Sequence, residues 1–156
     1  MAMNLLEALK KIIVALNDQR IEYALCGGLA MAVYALPRAT LDIDIMIKAD
    51  SLERTRQAVH DLGFTLDAMP MEFQGGKVLI QRISRVDSDS GDVFSLDLLI
   101  VTPETRPAWE SRFSVEWEGG ALSVVSPEGL ILLKSLRGSG QDQDDIQYLR
   151  SITDED

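Results

Sequence analysis

The chain has 156 residues, 46% of them hydrophobic and 26% charged, which fits a folded globular protein and excludes a disordered one. Its formal net charge of −10, with Asp142, Asp144, Asp145, Asp154, Glu155 and Asp156 crowding the C-terminal end, argues against a generic nucleic-acid binder working through a basic face. One cysteine, Cys26, and one histidine, His60, exclude an internal disulfide and a four-ligand Cys/His zinc site, and no apolar run approaches the ~20 residues of a membrane span.

Taken in chain order, Leu5, Leu6, Leu9, Ile12, Ile13 and Leu16 recur at helical spacing and predict a helix over 4–17, with Asn4 as its cap. Acid and amide residues break the apolar pattern there, so this is a helix and not a signal peptide, and the expected compartment is the cytoplasm. Residues 21–26 predict a strand, Gly27-Gly28 a turn, and 29–36 an alanine-rich helix bounded by Pro37. Residues 42–47 alternate acid and apolar side chains as a strand does. A helix over 51–62 follows, with Ser51 as cap and Gly63 as stop. Strands are predicted at 78–86 and 93–101 around the polar loop 87–92, and a hairpin at 113–117 and 121–125. Ser126-Pro127-Glu128 opens a helix running to about 136, and a last helix covers 142–152. The whole predicts an α+β architecture, a mixed sheet with helices packed mainly on one side. One domain over 1–156 is expected: an N-terminal helix in 1–20, a sheet core carrying the chemistry in 21–125, and C-terminal helices in 126–152.

The sharpest chemical signal is Asp42 and Asp44. Residues i and i+2 of a strand point to one face, so the two carboxylates project together while Ile43 and Ile45 point away. Like charges that close need a positive partner. A hard divalent cation such as Mg²⁺, shared with substrate phosphate, is one solution; a solvated edge strand is the plainer one. Gly27-Gly28 between strand and helix would let backbone N–H groups approach a phosphate, or would simply serve a turn that needs positive φ. Asp97 is an acid inside an otherwise apolar strand, costly without a partner. Beside the Asp42 strand it would complete three carboxylates, a site for two Mg²⁺ ions, one at the attacking hydroxyl and one at a triphosphate.

Cys26-Gly27-Gly28-Leu29-Ala30-Met31-Ala32, then Arg38-Ala39-Thr40-Leu41-Asp42-Ile43-Asp44-Ile45-Met46, then Asp97 resembles the signature of the DNA polymerase β-like nucleotidyltransferase superfamily. The pattern there is a glycine pair opening a helix, Arg-x-Thr-x-Asp-x-Asp, and a third Asp on a later strand. The closest resemblance is to small prokaryotic nucleotidyltransferase-like proteins related to the toxin of abortive-infection type IV toxin–antitoxin systems. The stretch from Ser126 through Lys134 and Arg137 to Asp142, Asp145, Ile146 and Leu149 resembles their C-terminal pattern. The likeness covers roughly 21–150.

The resemblance implies an enzyme that moves a nucleoside monophosphate from an NTP to a hydroxyl, releasing pyrophosphate with Mg²⁺. It makes Asp42, Asp44 and Asp97 the metal ligands, with Asp97 nearest the acceptor as general base. Gly27 and Gly28 would hold phosphates, Lys134 would reach the triphosphate or acceptor, and Asp145 would order the last helix or the second substrate. The acceptor could be a protein, a tRNA or a small molecule. Arg38 would touch phosphate or lock the acidic strand, or be a solvated loop residue; Thr40 would pin the strand start more readily than touch substrate. Lys134 could instead snorkel from an apolar helix, and Arg82, Arg85 and Arg38 could form a basic groove. Cys26 is expected buried, His60 at the surface, Trp109 and Trp117 in the core or an interface, and Tyr34, Met69, Met71 and Phe73 in core packing rather than, as the other reading has it, lining a nucleotide cleft. Where the C-terminal pattern carries a base this chain has Gln141. That departure, with the compact length, supports an alternative: a non-catalytic module binding a nucleotide or a cognate protein partner in a toxin–antitoxin-like system.

Overall fold

The computed structural model describes residues 4–33, 42–117, 120–137 and 140–153. Helix α1 (Leu5–Asp18) starts where the Asn4 side chain accepts from the Glu7 backbone N–H at 2.8 Å, and its Ala8, Leu9, Ile12, Ile13 and Leu16 are buried. Strand β1 (Ala24–Cys26) leads straight into α2 (Gly27–Val33), and the acid-bearing strand is β2 (Asp42–Ile47). A 3-10 turn at Ala49–Ser51 runs into α3 (Leu52–His60), so Ser51 makes no side-chain capping bond. Gly63, at φ 94, then carries the chain away.

Two short strands, β3 (Leu66–Asp67) and β4 (Met71–Phe73), precede β5 (Val78–Val86) and β6 (Val93–Ile100). The expectation that Met69 and Phe73 pack in the core is corrected: Met69 is 85% exposed and Phe73 also lies at the surface, because this stretch lies at the edge of the sheet and not under it. Between β5 and β6 the Asp87 carboxylate accepts from Ser90 Oγ at 2.7 Å, which holds it below its ordinary range. Helix α4 (Arg106–Glu110) follows, then the hairpin β7 (Phe113–Trp117) and β8 (Gly120–Val124). Helix α5 (Pro127–Arg137) begins where Ser126 Oγ accepts from Gly129 N–H at 3.0 Å, and α6 (Gly140–Thr153) ends the described chain. No helix among the described residues is long and apolar enough to cross a membrane.

The strands form one mixed sheet in the order β3-β5-β6-β2-β1-β8-β7, with β4 also paired to β5. β2 lies inside this sheet, parallel to β6 and antiparallel to β1, so the solvated-edge explanation of Asp42 and Asp44 fails. Their neighbours Ile43 and Ile45 face the core and are fully buried, and α1 packs on that side. The joint between β1 and β8 is narrow: one registered pair, Leu25 with Val124, followed by the bond from Val125 N–H to the Leu25 carbonyl at 3.0 Å. Ile45→Ala should cost about 2–5 kcal/mol of unfolding free energy, since the side chain is 0% exposed in a central strand. Urea denaturation reads this, and a loss below about 1 kcal/mol would mean that Ile45 does not face the core.

Candidate functional site

The ladders align four side chains in one row across the sheet. Cys26 on β1 stands opposite Asp44 on β2, Asp44 opposite Asp97 on β6, and Asp97 opposite Arg82 on β5. Paired residues of neighbouring strands share a face. A second row beside it runs Asp42, Ser95, Ser84, the two serine hydroxyls lying 3.1 Å apart. The sheet therefore brings Asp42, Asp44 and Asp97 to one face on adjacent strands.

Asp97 is 6% exposed, and Arg82 supplies the partner that such an acid needs. Arg82 Nε donates to Asp97 Oδ1 at 2.7 Å and Nη2 to Oδ2 at 3.0 Å, the bidentate fork that a guanidinium makes with a carboxylate. The proton affinity of Arg82 rises well above its ordinary value, first through this hydrogen bond, with burial opposing. The charges of Asp97, Asp42 and Asp44 raise it further, so all three acids act on one cation. The basic groove expected from Arg82, Arg85 and Arg38 is corrected. Arg82 lies on Asp97, Arg85 donates to the Leu62 carbonyl at 2.6 Å, and Arg38 lies outside the described residues.

A narrow pocket opens beside the row, lined by Cys26, Gly27, Asp44, Leu99, Leu130, Leu133 and Lys134. Lys134 on α5 is 7% exposed, so it does not snorkel to the surface but sits over the acidic face. Gly27 has φ 68, the left-handed region, and a Cβ there would overlap the Asp44 carboxylate, 2.5 Å from Cγ. Both explanations of the glycine pair hold at Gly27: the turn needs positive φ, and the backbone comes close to the site. Gly28 sits in the first turn of α2, where backbone N–H groups have no partner within the helix.

Carboxylate oxygens suit a hard divalent cation, and Asp42 and Asp44 on one face fit such an ion. Among the described residues no group of three or more His, Cys, Asp or Glu side chains is set to hold a metal, and both oxygens of Asp97 already accept from Arg82. Thr40 and Tyr34 lie outside the described residues, as do the side chains of Arg137, Gln141, Asp142 and Asp145. Cys26 and Trp109 are buried, and His60 is half exposed.

A model of the aminoglycoside-2''-adenylyltransferase family matches residues 8–94. Among solved structures, the lincosamide antibiotic adenylyltransferase LnuA, lincomycin-bound, aligns at TM-score 0.60 and 18% identity over 94% of this chain and 96% of that one. The antibiotic-resistance factor ANT(2'')-Ia aligns at TM-score 0.64 and 13% identity over 97% and 86%. A nucleotidyltransferase-like antigenic protein of Paracoccidioides brasiliensis aligns at TM-score 0.53 and 21% identity over 97% and 79%. No curated protein matches the chain.

Gly27→Ala should destabilise the protein more than Gly76→Ala. Both glycines have positive φ, a conformation that costs an L-residue roughly 1–2 kcal/mol, but an added Cβ at Gly76 meets nothing within 4 Å. Thermal melts of the two variants isolate the clash with Asp44, and equal losses would remove it.

Proposed function

The chain belongs to the aminoglycoside-2''-adenylyltransferase family, and from that premise we propose that it transfers a nucleoside monophosphate from an NTP to a hydroxyl of a small acceptor. The observation that carries this reading is the convergence of Asp42, Asp44 and Asp97 on one sheet face beside Gly27 and Lys134. The acceptor oxygen attacks the α-phosphorus, a new P–O bond forms, the bond to the β-phosphate oxygen breaks, and pyrophosphate leaves. Catalysis of this kind is mostly positioning and charge neutralisation.

Asp42 and Asp44 would hold Mg²⁺, which supplies charge neutralisation at the phosphates. Gly27 and Gly28 present backbone N–H groups to the phosphates with no side chain in the way. Lys134 adds a cation at the pocket wall. Arg38 and Thr40 retain the roles that the motif implies, contact with phosphate and anchoring of the β2 start. Asp97 is the base that takes the acceptor proton. A carboxylate has about four lone-pair sites and Arg82 uses two hydrogen bonds, so acceptor capacity remains. Of the acceptor classes open at the outset, the family favours a small molecule. The net charge of −10 suits a cationic, hydroxyl-rich one such as an aminoglycoside.

Incubation with α-³²P-ATP, Mg²⁺ and a panel of aminoglycosides, with a lincosamide alongside, should yield labelled acceptor. Asp42→Asn/Asp44→Asn should lower the rate by at least about a hundredfold, the scale for losing a main electrostatic group. Labelled product from that double variant at the wild-type rate would refute this site.

A further inference from the structure

We propose that Arg82 serves as one of the site's cations, so that the protein takes a single divalent ion, on Asp42 and Asp44, where three convergent carboxylates would lead one to expect two. The inference rests on the nucleotidyl-transfer reading above and concerns how that site is neutralised. Both Asp97 oxygens accept from Arg82, at 2.7 and 3.0 Å, and Asp97 is almost fully buried. The pairing does not depend on a mobile loop: Arg82 and Asp97 are direct partners in an antiparallel ladder that runs from Leu79 with Ile100 to Val86 with Val93. A guanidinium cannot shed its charge at ordinary pH, so this cation is permanent.

Arg82 meets the charge of Asp97, which leaves Asp42 and Asp44 to a divalent ion shared with the triphosphate. A second ion at Asp97 would set a double positive charge beside the Arg82 guanidinium, which already lies 2.7 Å from that carboxylate, and like charges that close are costly. Arg82 also has donors to spare. Two of its five N–H groups go to Asp97, and its side chain is 39% exposed.

The test counts Mn²⁺ by electron paramagnetic resonance on the full chain with α,β-methylene-ATP, a nucleotide that cannot transfer its AMP. Circular dichroism of each variant checks the fold. Wild type should hold one Mn²⁺ per complex and Arg82→Gln two. Asp97→Asn should still hold one, with affinity within about threefold of wild type, whereas Asp44→Asn should lose about tenfold or more. The Asp97→Asn arm stands even where Arg82→Gln fails to fold. Two ions on wild type, a single ion on folded Arg82→Gln, or a tenfold loss in Asp97→Asn would overturn this inference and leave nucleotidyl transfer standing. No ion on wild type, even with the nucleotide, would overturn both.

Discussion

Three carboxylates on one face of an interior sheet region are tolerable only where positive charge is built in beside them. The Arg82–Asp97 fork supplies that charge, and much of the architecture serves to hold it. The β5–β6 ladder sets its register, and the parallel β2–β6 ladder sets Asp44 next to it. On the reverse face Ile43, Ile45 and Leu96 are fully buried, which keeps the three strands from slipping. A slip of one residue would turn the acids into the core.

Much of this was legible in the residues. The alternation of Asp42, Ile43, Asp44 and Ile45 foretold both the strand and its acidic face, and Ser126-Pro127 foretold the start of α5. The β5–β6 hairpin was legible further than it was read. Closing it on Val86 and Val93 and counting back equally along both strands puts Arg82 opposite Asp97. Reading arginines as a groove concealed that, because a basic side chain in a strand was weighed by its charge and not by its cross-strand partner. Two features were not legible. β3 and β4 are too short to show a period, and all of their side chains but that of Met71 are exposed, so no burial pattern marks them. The depth of Lys134 depends on where α5 comes to rest, which is set by contacts distant in sequence.

Likeness in sequence and likeness in fold cover different stretches of the chain. The matched family model covers α1 through the start of β6, which holds Asp42 and Asp44 but stops short of Asp97. The remainder, from Asp97 onward, lies beyond that match. Structural likeness extends over nearly the whole chain at 13–21% identity, so in this part the architecture rather than the residues is shared. The motifs resemble the abortive-infection type, but the family match is to the aminoglycoside-2''-adenylyltransferase family.

The narrow joint between β1 and β8 has its own consequence. Lys134 reaches the pocket from α5, beyond that joint, while Asp44 on β2 and Gly27 at the start of α2 lie on its other side. Only one ladder pair is registered across it, so the packing of Leu122, Val124, Val125, Leu130 and Leu133 in the common core holds the hairpin β7–β8 and α5 to the rest. The place of Lys134 therefore rests on side-chain packing, whereas Arg82 is placed by a backbone ladder. The two cations are thus set by different means, and a substitution in the core under α5 would shift the second while leaving the first in register.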